Sequence, residues 1–205
     1  MNARALVVLA ALAGLVPVAR AAAPHPVVTL LDEEDAYLSN EAPVVWNLAH
    51  EAALDEIAAS TQARSAGARE SLRAEFEKGR LLAGGVLWKL TSDSGIVDRV
   101  LKDMASQGPL SPAGVTEYAF VLGYSGDRRA VPGLWAAVER FRGRPYDEIF
   151  CARAIYRLSG DPKALSLIRG FSRKRDSRWP KGDMAPSRLA KLVADELERK
   201  SGGIP

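Results

Sequence analysis

Few side chains in this chain are equipped for chemistry: its 205 residues include two histidines and one cysteine. His50-Glu51 begins as a zinc-protease helix motif begins, but Leu54 stands where the second histidine is needed, and such a site requires both imidazoles on one helical face. Asp32-Glu33-Glu34-Asp35 offers carboxylate oxygens of the kind that hold calcium, without the alternating ligands and turn glycine of an EF-hand loop. A block of like charge reads more simply as a solvated acidic arm. Glu51 and Asp55 are the residue types of a glycosidase pair, yet acidic side chains four apart on a helix usually form a wet face. Cys151 reads as a small buried hydrophobe. No Gly-rich phosphate loop, Ser-His-Asp order or Cys-His pairing is present. The sequence therefore predicts no catalytic residue, no metal and no cofactor.

The better lead is electrostatic. The formal net charge is only +3, but it is unevenly spread. Residues 27–77 carry eleven acids against three bases, and residues 142–191 carry thirteen Lys or Arg against five acids. Arg140, Arg142 and Arg144 flank one join between helical segments. Arg173, Lys174, Arg175, Arg178 and Lys181 flank the next, with Trp179 among them as an aromatic anchor. Arg153 and Arg157 are spaced i, i+4 and share a helix face. These residues predict a partner-binding edge for an acidic protein patch, an anionic glycan or lipid phosphates. Nucleic acid suits the charge but not the export signal read next.

The N-terminus reads as that signal. Arg4 supplies a positive start, residues 5–18 are apolar, and Ala19-Arg20-Ala21 forms an A-x-A cleavage site. The apolar run is short for a membrane span. The expectation is a signal peptide at residues 1–21, removed to leave a periplasmic or extracellular protein without a transmembrane segment; the rival reading is an uncleaved N-terminal anchor. With one cysteine, no internal disulfide can form, so the fold must rest on its hydrophobic core.

A repeat organises the rest. Ser125-Gly126-Asp127 and Ser159-Gly160-Asp161 stand 34 residues apart, and the same step backwards reaches Thr91-Ser92-Asp93. Apolar positions keep this register: Leu87, Val121 and Ile155 before the turn, then Val97, Val131 and Leu165, and Val100, Leu134 and Ile168 after it. A glycine able to turn left-handed ends one helix, and the aspartate caps the next. Val131, Leu134, Trp135 and Val138 form the apolar stripe of the second helix. Pro132 falls in that helix's second turn, at the cost of a hydrogen bond. A single helix pair cannot cover its own apolar face, so copies must stack.

The segment Leu122-Gly123-Tyr124-Ser125-Gly126-Asp127-Arg128-Arg129-Ala130-Val131-Pro132-Gly133-Leu134 resembles the signature of the HEAT family, in particular its short PBS-lyase-like variant. The likeness covers about residues 80–172 and fades in the first copy, where Ser92 replaces the turn glycine. It implies an all-α fold, a short α-solenoid of stacked antiparallel helix pairs with atypical helical caps at both ends. The expected organisation is an acidic extended or disordered arm at 22–40 and one domain at 41–200. Its copies lie near 80–105, 114–141 and 146–172, with a capping helix at 186–200 and a tail at 201–205. Helices are expected at 43–62 and, unbroken, at 66–90. Leu189 and Leu192 stand 34 residues beyond Ile155 and Leu158, as the start of a fourth copy. The resemblance implies fold and not activity; the expected function is an exported binding or scaffold protein for protein–protein interaction. The alternatives are an inhibitor or immunity-type partner of one enzyme, with a hot spot at Trp179 or Trp135, and a helical enzyme acting on glycans.

Overall fold

A left-handed residue that stops one helix and an aspartate that starts the next recur along the chain and set its architecture. The computed structural model describes residues 25–39, 43–60, 63–108, 115–173 and 185–201, with the backbone alone at 33–39, 43–50, 200 and 201. These residues form ten helices and no strand: α1 (Pro26–Ser39), α2 (Pro43–Ala59), α3 (Ala66–Glu77), α4 (Leu81–Thr91), α5 (Ser94–Ser106), α6 (Thr116–Ser125), α7 (Val131–Arg140), α8 (Pro145–Ser159), α9 (Pro162–Ser172) and α10 (Pro186–Ser201). The expected signal segment lies outside the described residues, as does the tail beyond Ser201.

The three turns are built alike. Ser92, Gly126 and Gly160 cap α4, α6 and α8 at φ 54°, 75° and 69°. Asp93, Asp127 and Asp161 each accept a backbone N–H from two residues on, at 2.9 Å in all three. Such a cap contributes about 1 kcal/mol. The hydroxyls of Thr91, Ser125 and Ser159 donate to the carbonyls of Leu87, Leu122 and Ile155, each at 2.7 Å. They also accept the N–H of the following aspartate's residue at 3.2–3.3 Å. The first turn keeps this geometry without a glycine, although a left-handed residue with a Cβ costs roughly 1–2 kcal/mol.

Between turns, the helices pack against neighbours. α4 lies against α6, α6 against α8 and α8 against α10, while α7 and α9 both pack on α8. α3 packs on α4, and α1 on α2 and α3. Leu87, Val121 and Ile155 are buried, as are Val100, Leu134 and Ile168. One register differs from expectation. Val97 is buried but Val131 and Leu165 are only partly so, and the fully buried line is Ile96, Ala130 and Ala164. In the middle copy a 3-10 turn at Arg128–Ala130 precedes α7, whose buried residues are Leu134, Ala137 and Val138, with Trp135 half-buried. That turn also places Pro132 at the very start of α7, where a missing N–H costs little, rather than inside a second turn.

Three further expectations are corrected. Residues 26–39 are helical, not an extended arm. Val27, Val28 and Leu31 are buried, so a short apolar stripe packs this segment down, and Asp32 pairs with Arg80 at 2.7 Å. The helix expected unbroken over 66–90 stops at Glu77 and restarts at Leu81, because Gly79 turns left-handed at φ 98°. Leu189 is buried as its repeat position requires, but Leu192 is 38% exposed, so α10 does not reproduce the inward face of α8.

Candidate functional site

Among the described residues, the arginines expected to form one basic edge take different roles. Arg140 donates to the carbonyls of Ala105 and Gln107, satisfying the C-terminal end of α5, whose last carbonyls lack partners within the helix. Arg142 is 73% exposed and pairs with Glu139, a contact of the surface kind worth about 0–1 kcal/mol. The Arg144 Nε lies 2.7 Å from Asp147, and Arg173 is an exposed cap residue after α9. Lys174, Arg175, Arg178 and Trp179 lie outside the described residues.

Arg153 is the clear correction, because its side chain is only 3% exposed. It grips Glu196 of α10 with two bonds, of 2.9 and 2.8 Å, and donates to Glu51 of α2 at 2.9 Å. Arg157, one turn further along α8, also pairs with Glu51. Burial lowers its pKa from the usual guanidinium range, partly offset by the nearby Glu196 charge. The i, i+4 spacing did put both arginines on one face, but that face points inward.

The second half of this arrangement pairs Asp55 with Lys89 and Tyr124, two partners that the sequence did not single out. Asp55, four residues after Glu51, accepts the Tyr124 hydroxyl at 2.8 Å and pairs with Lys89 at 3.3 Å. The Lys89 ammonium also sits 4.7 Å over the Tyr124 ring. Burial raises the pKa of the Tyr124 hydroxyl, and its bond to Asp55 raises it further. Leu54 is fully buried and lies over Gly85, close enough that a Cβ there would stand 3.7 Å from it. Helix α2 therefore packs on α4 and reaches α6 and α8 through side-chain bonds. Two of the cations that meet it share a repeat position, since Lys89, Gly123 and Arg157 stand 34 residues apart, while Arg153 lies one turn before Arg157. A signal for this existed: Tyr124 occupies the repeat position of Leu90 and Leu158, and a tyrosine there brings a hydroxyl that needs a partner.

Two grooves flank α7. One, of about 420 Å³, runs between α7 and α9 and is lined by Trp135, Val138, Leu167 and Phe171 with Arg142 and Lys163 beside them. The other, of about 310 Å³, lies between α5 and α7 and includes Leu101, Met104, Gly133 and Phe141.

Two buried carboxylates of α8 are engaged in holding the backbone. Asp147 accepts the Val115 N–H at 2.7 Å and the Thr116 hydroxyl at 3.2 Å. Glu148 accepts the Gly143 N–H at 2.7 Å. Cys151 is fully buried, and that burial raises the pKa of its thiol, reinforced by the Asp147 and Glu148 charges. A thiol so protected lacks the thiolate character that nucleophiles need. Among the described residues, no three His, Cys, Asp or Glu side chains gather as metal ligands, and no helix is long and apolar enough to cross a membrane. Searches for a matching protein-family model, curated protein or solved structure find none.

Proposed function

We propose that this chain is an exported α-solenoid of the HEAT type that binds another protein and performs no catalysis. The observation that carries the reading is the triplicate turn at Ser92, Gly126 and Gly160, with the same cap bonds at each copy. Repeated helix pairs build extended surfaces whose use is binding. The engagement of Asp147 and Glu148 with backbone N–H groups also favours binding over a glycan-cleaving carboxylate pair, which must face substrate.

The partner is an acidic protein patch, met by the exposed cations Arg142, Lys163 and Arg173 near the α7–α9 groove. An inhibitor-type reading draws support from the same groove, where half-buried Trp135 has the character of a hot-spot anchor. Affinity capture from the exported fraction tests the proposal, using the wild-type chain and an Arg142→Glu/Arg173→Glu variant. The expected result is a protein partner recovered by the wild type and lost by the variant. Equal recovery by both overturns the basic-edge contact, and no specific protein from either overturns the binding reading.

A further inference from the structure

The contacts of α2 are unusual for a helix that only completes a core. Its described C-terminal half, residues 51–59, buries Leu54 and Ile57, and its other anchors are charged. Glu51 meets Arg153 and Arg157 on α8, and Asp55 meets Lys89 on α4 and Tyr124 on α6. These three first helices belong to successive copies, so the repeat itself spaces the cations. Lys89 and Arg157 occupy one register two copies apart, with Gly123 between them. An acidic pair at i, i+4 with a leucine at i+3 is thus read by an aromatic and basic face across three helices.

We propose that this face of α4, α6 and α8 is an acceptor for an acidic amphipathic helix of a partner protein, and that α2 occupies it in cis. The partner helix carries two carboxylates one turn apart and an aliphatic residue between them, as α2 does at Glu51, Leu54 and Asp55.

Two features suit the face to exchange. Arg153 holds Glu196 by two bonds independent of Glu51, so one buried cation stays paired when α2 leaves. The Asp55–Lys89 pair is open to water, with Asp55 58% exposed, and open pairs of this kind hold weakly. A helix that offers the same carboxylates and more apolar surface displaces α2 at little electrostatic cost. This inference deepens the binding-protein reading and rests on it.

The test uses a fluorescent peptide of residues 43–60, titrated by anisotropy into the full wild-type chain and into a full chain carrying Glu51→Gln and Asp55→Asn. Weakening α2 should make the peptide bind the variant about tenfold more tightly than the wild type. The same peptide carrying both substitutions should lose about tenfold in affinity for the variant. Absence of binding to either chain, or equal binding of the two peptides, overturns the proposal even if the protein still captures a partner elsewhere. Circular dichroism checks that the variant folds. If it does not, amide hydrogen exchange of the wild-type chain with saturating peptide decides: α2 must lose protection while α6 keeps it, and unchanged protection of α2 overturns the proposal.

Discussion

Glu51 on α2 and Arg153 on α8 are separated by 102 residues and joined by a bond of 2.9 Å. The same guanidinium holds Glu196 of α10, so one buried cation on the third copy ties together α2 and α10, helices that lie before and after the three copies. Removing the cation leaves two carboxylates close together and poorly hydrated. Arg153→Met should therefore cost about 3–5 kcal/mol, the range for breaking a buried pair from one side. Urea unfolding followed by circular dichroism measures this. A loss of less than about 1 kcal/mol, the value of an exposed pair, would place Arg153 at the surface instead.

The turns predict opposite effects for exchanges between glycine and a residue with a side chain. Ser92→Gly should stabilise the chain by about 0.5–1 kcal/mol, because relief of the left-handed strain outweighs the added freedom of the unfolded chain. Gly126→Ala and Gly160→Ala should each destabilise it by about 1 kcal/mol or more. Thermal unfolding of the three variants checks the signs. The same sign at all three positions would mean that the turns are not equivalent.

Asp127 sets an acid-dependent part of stability. The hydrogen bond from the Arg129 side chain holds its carboxyl below the usual range, outweighing the effect of burial. A depressed pKa means that the contribution is complete above the unfolded value near 4 and lost as pH falls through the folded value. Asparagine keeps the helix cap but not the charge. The stability gap between wild type and Asp127→Asn should be widest near neutrality and close in acid, as read from unfolding curves taken across that range. A gap independent of pH would contradict the assignment.

How much of this was legible in the sequence depended on range. Gly126, Asp127, Gly160 and Asp161 announced their turns because left-handed caps and aspartate N-caps are local chemistry. The all-helical class followed from the same signals. Residues 26–39 were misread because the charges of Asp32 to Asp35 outweighed the sparse stripe of Val27, Val28 and Leu31, which packing alone makes sufficient. The break at Gly79 was visible as a glycine, but the apolar run that follows from Leu81 made one longer helix look plausible.

The site was less legible for a different reason. Spacing showed that Arg153 and Arg157 share a face, as do Glu51 and Asp55, but periodicity does not say which face turns inward. Two sets assigned to solvent instead meet each other. Their pairing depends on α2 packing on α4 within reach of α6 and α8, a long-range arrangement at which only the odd placement of Tyr124 hints.

The most direct test is a capture experiment on the proteins of the producing cell. The full wild-type chain and the Glu51→Gln/Asp55→Asn chain serve as baits, each with and without free peptide of residues 43–60. The account predicts that the α2-weakened bait recovers more of the same protein than the wild type, and that the peptide displaces it. Equal recovery by the two baits, untouched by the peptide, would contradict it.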